Sequence, residues 1–172
     1  ELLASPYHEY RLTALLALTY RYAKFKDLAS REACVNFYVS QVDAINNWDL
    51  VDLSCYKILG HWLFDKDKQL LYDWAKENHL WKQRIAMITC MHFVKQGEFK
   101  DALAIADLLQ HHPHDLIHKA VGWILREIGK ENEKLLVDYL TPRYKEMPRT
   151  MLRYAIERFE EGKRKAFLHS KV

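Results

Sequence analysis

The stretch Asp115-Leu116-Ile117-His118-Lys119-Ala120-Val121-Gly122-Trp123-Ile124-Leu125-Arg126-Glu127-Ile128 decides the fold. It follows the turn His111-His112-Pro113-His114, reads as one helix, and meets Gly129, a helix stop signal. Within it, Lys119 begins an apolar stripe. Tyr10-Arg11-Leu12-Thr13-Ala14, Gln83-Arg84-Ile85-Ala86 and Leu152-Arg153-Tyr154-Ala155 repeat that arrangement, each with a cation at the head of its stripe. Arg84 to Lys119 spans 35 residues, Lys119 to Arg153 spans 34, and Arg11 to Arg84 spans 73, close to two such periods. Helical solenoids repeat at about 34 to 47 residues. The chain therefore predicts an all-α stack of antiparallel helix pairs, an architecture that curves and leaves a concave binding surface.

Helix signals extend in both directions from that stretch. Ser5-Pro6 reads as N-cap and first helical residue of a helix to about residue 23. Further helices are predicted over 30–44, over 48–63 behind Asn46-Asn47, over 65–78, over 80–95 with Gly97 as its stop, and over 98–110. After 115–128 come a helix over 131–140, broken by Thr141-Pro142, and a last long one with Pro148 in its first position, interrupted near Gly162. No segment alternates as a strand does.

Composition agrees. The chain has 172 residues, 49% hydrophobic and 28% charged, which fits one soluble domain spanning 1–172. Only 5 Gly and 4 Pro are present, too few for the turns of an all-β fold. No apolar run reaches the roughly 18 residues of a membrane span, so no membrane partner is expected. Cys34, Cys55 and Cys90 sit among apolar helical residues and read as small buried hydrophobes in a reducing compartment. The net charge of +3 is mild, and pI 8.7 lies below the value above about 9 of strongly nucleic-acid-binding domains. What matters is whether the cations share a face.

The row of stripe-heading residues has one exception. Between Arg11 and Arg84 lies the helix Trp48-Asp49-Leu50-Val51-Asp52-Leu53-Ser54-Cys55, and Asp52, 32 residues before Arg84, stands nearest in register. The row reads Arg11, Asp52, Arg84, Lys119, Arg153: one acid among cations. Trp48 is one turn before Asp52, on the same side of the helix. Trp81, Met87 and Ile88 leave Arg84 poorly hydrated, wanting an anion that either Asp52 or a phosphate supplies. Trp123 lies one turn from both Lys119 and Arg126. Spacing alone leaves two readings of Asp52, a structural ion pair with Arg84 or a functional carboxylate. Trp48 read alone is a packing staple, and Trp62, Trp74 and Trp81 read as core or inter-repeat residues.

Pro148-Arg149-Thr150 gathers amides, a cation and a hydroxyl at a helix start, a seat for one phosphate and also a common way to begin a helix. The histidines at 111, 112, 114 and 118 invite a metal reading. Three of them lie in a turn beside Pro113, and Asp115 alone among acids and thiols is at ligand spacing, so a solvated loop is expected, with no metal and no cofactor. Glu160-Glu161-Gly162-Lys163-Arg164-Lys165 reads as a solvated tail. No phosphate loop, dinucleotide turn, Ser-His-Asp set or paired-Cys zinc site is present in the sequence.

Trp48-Asp49-Leu50-Val51-Asp52, Trp81-Lys82-Gln83-Arg84, Lys119-Ala120-Val121-Gly122-Trp123-Ile124-Leu125-Arg126-Glu127 and Pro148-Arg149-Thr150-Met151-Leu152-Arg153-Tyr154-Ala155-Ile156-Glu157 together resemble the AlkD-type alkylpurine DNA glycosylases, from about Tyr7 to Phe159. Each motif is weak alone; their order and spacing carry the match. The resemblance implies a right-handed superhelix of HEAT-like repeats acting on duplex DNA, with removal of cationic purines, chiefly 7-methylguanine and 3-methyladenine. It implies Asp52 as catalytic aspartate, Trp48 and Trp123 flanking the deoxyribose of the lesion, and Arg84 contacting the DNA backbone nearby. Arg11, Lys119, Arg126, Arg149, Thr150 and Arg153 follow as DNA contacts. The family's additional N-terminal helices are not in this sequence. A cytoplasmic monomer, nucleoid-associated through DNA, is the matching expectation. Two rivals remain: a DNA-binding relative without catalysis, and a helical-repeat scaffold for a protein partner.

Overall fold

The structure is a computed structural model and describes residues 1–169. All regular structure among those residues is helical. The chain divides into two compact units, one from Glu1 to His92 and one from Phe93 onward.

The first unit opens with a 3-10 turn, Leu2–Ala4, then α1 (His8–Lys24) and α2 (Leu28–Ser40). A second 3-10 turn, Val42–Ala44, leads to α3 (Trp48–Asp52), a π-helical segment Tyr56–Gly60, α4 (His61–Leu63), α5 (Gln69–Lys76) and most of α6 (Leu80–Lys95). Tyr38, Ile45, Leu50, Ile58, Leu71 and Ile85 are fully buried and form its core. The second unit holds the end of α6, then α7 (Lys100–Leu109), α8 (Asp115–Glu131), α9 (Glu133–Leu140), α10 (Arg149–Ala155) and α11 (Glu161–Leu168). Ile117, Val121, Ile124, Leu140, Met151 and Leu152 fill its core. No helix among the described residues is long and apolar enough to cross a membrane. All three cysteines are buried and free.

Several elements differ from the sequence expectation. The first helix starts at His8, with Tyr7 as its extended N-cap, so Pro6 lies outside it. The second ends at Ser40, and a 3-10 turn finishes the stretch. The predicted 48–63 helix is interrupted. The Ser54 hydroxyl donates to the Leu50 carbonyl at 2.5 Å, and the Ser54 amide turns to Val51 instead. A hydroxyl that captures the i−4 carbonyl bends a helix in this way. The π segment then brings Gly60 against α6, where a Cβ would lie 2.6 Å from His92 Cβ and 2.8 Å from the Thr89 carbonyl.

Gly97 does end α6, with φ +80 and its neighbour Glu98 donating back to Phe93 at 2.9 Å. Gly129 does not end α8, which runs on to Glu131. A Cβ there would sit 2.5 Å from Leu136 Cδ2, so this glycine serves close helix approach. The predicted last long helix is two helices. Pro148 is the N-cap of α10 and Glu160 the cap of α11, accepting from the Gly162 and Lys163 amides. Gly162 therefore sits in a first turn, not at the break.

Candidate catalytic site and nucleic-acid contacts

Asn47 starts α3: its side-chain oxygen accepts the Trp48 amide at 2.7 Å. That places Trp48 at the first position of a five-residue helix, with Asp52 at the last. The two therefore share one side, one turn apart. They differ in access to water. Trp48 is 53% exposed and Asp52 only 9%.

Arg84, in the second turn of α6, reaches Asp52 with both arms of its guanidinium. Nε donates to Oδ1 at 3.0 Å and Nη2 to Oδ2 at 2.7 Å. Arg84 is 4% exposed. The register read from the sequence is thus a physical contact. Gly60 and His92 touch at the same 32-residue offset, so the chain from α3 to α4 and the helix α6 run parallel in the first unit.

Burial pushes the Asp52 carboxyl above the ordinary carboxylate range, against the pull of Arg84, and the nearby Asp49 adds to the rise. One turn on, burial and the Asp52 charge push the Cys55 thiol far up, so it is an inert thiol. Arg84 uses two of the roughly four lone-pair sites of the Asp52 carboxylate. The remaining sites suit a water molecule or a developing positive charge.

Two side chains of α1 close on the start of α3. His8 Nε2 meets Asp49 Oδ2 at 2.7 Å, and Arg11 Nη2 donates to Asn46 Oδ1 at 3.3 Å. Arg11 also donates to the Ser5 and Pro6 carbonyls, so this expected phosphate ligand is half-buried and engaged in the chain's own contacts. Sequence reasoning missed His8 and Asp49, which lie 41 residues apart, off the repeat period.

In the second unit, Trp123 is half-buried on α8. Lys119 Nζ pairs with Asp115 Oδ2 at 2.7 Å. Its ammonium and the Thr150 hydroxyl hold the Asp115 carboxyl below the usual range. Lys119 and Thr150, expected separately, thus meet at an acid. Arg126 pairs with Glu157 of the segment after α10 and also faces Glu127 at 3.6 Å. Arg149 is exposed and donates to the Leu168 carbonyl at 3.0 Å; Arg153 is exposed. Trp74 is buried, while Trp62 and Trp81 are half-buried, with Lys66 Nζ 4.3 Å over the Trp62 ring.

A second missed constellation joins Asp107, Tyr139 and Arg143. Arg143 forks onto Asp107, Nε to Oδ1 at 2.8 Å and Nη2 to Oδ2 at 3.2 Å. The 36-residue separation lies close to the repeat period and was the available signal.

Residues 1–159 match the model of a family described as DNA alkylation repair enzyme. No curated protein matches the chain. Among solved structures, one described as a predicted DNA alkylation repair enzyme from Enterococcus faecalis aligns with TM-score 0.72 at 16% identity, covering 93% of this chain and 73% of that one. The two chains share the all-helical repeat fold.

Proposed function

The chain belongs to the DNA alkylation repair enzyme family, and from that premise we propose that it is a DNA N-glycosylase that releases cationic alkylated purines, such as 7-methylguanine and 3-methyladenine, from duplex DNA. The observation that carries this reading is the Asp52 carboxylate. It is held by both arms of Arg84 one turn from an exposed indole.

The chemistry suits so spare a site. Alkylation at a ring nitrogen makes the purine a cation, so it departs as a neutral base, taking the electron pair of the N-glycosidic bond. No general acid is needed. The sugar left behind carries oxocarbenium charge, the same demand met in glycoside hydrolysis by carboxylates. Asp52 would stabilise that charge and orient a water, whose oxygen bonds to the anomeric carbon and whose proton passes to solvent. Arg84 fixes the carboxylate, and fixed charge needs no reorganisation as the sugar cation forms. The Trp48 face would add cation–π attraction of about 0.5–2 kcal/mol. Arg11, Arg149 and Arg153 are proposed to contact phosphates, which supplies affinity without sequence information. Lys119, Arg126 and Thr150, on the second unit, are proposed as further DNA contacts.

Incubation with N-methylated duplex DNA tests the reading: wild-type protein releases 7-methylguanine, measured chromatographically. Absence of release rejects it. A second reading, DNA binding without catalysis, is favoured by one observation: the Asp52–Arg84 pair is nearly closed to water and is self-sufficient as a structural bridge. The same assay separates the two. A scaffold for a protein partner would instead show no steep loss of duplex binding between low and moderate salt.

A further inference from the structure

The following inference rests on the glycosylase reading and extends it to the residues that hold the site. α3 carries both Trp48 and Asp52 and is five residues long. So short a helix has little stability of its own, and its direction is set by what clamps it. Two residues of α1 provide clamps, at Asn46 and at Asp49, on either side of Trp48 in sequence.

The Asp49 clamp is the better built. Asp49 Oδ1 accepts the Leu50 amide at 2.8 Å, which orders the first turn, while Oδ2 faces His8 Nε2 at 2.7 Å. The His8 and Asp49 side chains are 30% and 20% exposed, so water competes weakly for this bond. His8 Nδ1 is buried and has no hydrogen-bond partner. A carboxylate oxygen can only accept, so Nε2 carries a proton and donates it to Asp49, while Nδ1 makes no second bond. The ring is thus oriented by one bond, and that bond goes to α3. Asp49 in turn repels charge on Asp52, and a donor on Asp49 tempers that repulsion.

We propose that His8 is a positioning residue for the site: by holding Asp49 it fixes the first turn of α3, and so aims the Trp48 indole and the Asp52 carboxylate.

The test uses the whole chain labelled with 5-fluorotryptophan, five tryptophans in all. The Trp48 fluorine resonance is assigned by its loss in Trp48→Phe. His8→Leu removes the donor; His8→Gln keeps an N–H for Asp49. His8→Leu is expected to lower kcat for 7-methylguanine release by about tenfold or more with KM little moved. It also shifts and broadens the Trp48 resonance and leaves the other four in place. His8→Gln restores both. A His8→Leu protein with wild-type kcat and an unmoved Trp48 resonance overturns the proposal. So does a His8→Gln protein as impaired as His8→Leu. Should His8→Leu fail to fold, Asp49→Asn weakens the same bond, keeps an oxygen for the Leu50 amide, and gives the same two readouts. If wild-type protein releases no base, the glycosylase reading fails on that result, and the fluorine spectra alone decide whether His8 aims the indole.

Discussion

Two arginine–aspartate forks, one in each unit, are built from the same atoms. In the first unit Arg84 grips Asp52, in the second Arg143 grips Asp107, each through Nε to Oδ1 and Nη2 to Oδ2. The arginine follows its acid by 32 residues in one case and 36 in the other. Their surroundings differ. The Arg84 and Asp52 side chains are 5% and 10% exposed, whereas those of Arg143 and Asp107 are 32% and 44% exposed. The second fork is also closed by Tyr139, whose hydroxyl donates to Asp107 at 2.8 Å and whose ring lies 4.2 Å under the Arg143 guanidinium. Fork geometry alone therefore does not mark a site. An ion pair shielded from water, next to an exposed indole, can act on a developing charge at low dielectric; a solvated pair closed by its own tyrosine cannot.

The largest expected effect breaks the comparison on activity. Asp52→Asn should cut 7-methylguanine release by at least about 10²–10³-fold, the usual consequence of losing one preorganised electrostatic group, with duplex binding retained. Asp107→Asn should leave release near wild type. Parallel single-turnover assays and DNA titrations check both. Equal loss in the two variants would make the forks equivalent and refute the assignment of Asp52.

Stability should part the forks next. Arg84→Met strands a buried carboxyl and is expected to cost about 3–5 kcal/mol. Arg143→Met breaks a solvated pair and should cost about 1 kcal/mol or less. Urea unfolding of the two variants measures the difference. Comparable losses would mean that the exposed fork is held as firmly as the buried one.

These contrasts also show what the sequence could convey. The Asp52–Arg84 contact was legible because the two residues stand in the repeat register, Arg84 among the apolar neighbours Trp81, Met87 and Ile88. The helical fold was legible for the same reason, and Gly97 and Asn47 mark helix ends by their own chemistry. Gly129 did not, because a glycine kept for close approach to Leu136 looks like a glycine kept for positive φ until its neighbour is known. The break after Asp52 depends on the Ser54 hydroxyl, which turns to Leu50 while bonded to Tyr38 on another helix. Arg126 was expected among the DNA contacts, yet Glu157, in a motif read for other reasons, pairs with it. Counting charges along a face cannot show which of them are already paired.

A smaller effect concerns pH. On the proposed mechanism release requires Asp52 ionised, and burial raises its carboxyl above the ordinary range. The acid limb of the kcat/KM profile should therefore lie above the pH at which ordinary carboxylates titrate, with rate falling as pH falls through it. Because the Asp49 charge adds to that rise, Asp49→Asn should move the limb to lower pH. A limb that moves upward in Asp49→Asn contradicts the electrostatic account.

The smallest effect sharpens the comparison from the exposed side. Tyr139 is buried, and burial together with its bond to Asp107 pushes its phenol far up, so its hydroxyl stays a donor to Asp107. Tyr139→Phe keeps the ring beneath Arg143 and removes only the hydroxyl. Asp107 then loses one of its donors but keeps the Arg143 fork and access to water, so no buried group is stranded. The cost should be about 1 kcal/mol, the net worth of one ordinary hydrogen bond, and release of base should not change. In an Arg143→Met background the same substitution should cost more, because Asp107 then depends on the tyrosine alone. A double-mutant cycle by urea unfolding measures that coupling. Strict additivity would show that water, and not Tyr139, already satisfies this carboxylate, and that the fork in the second unit is a surface ion pair with no closing partner of consequence.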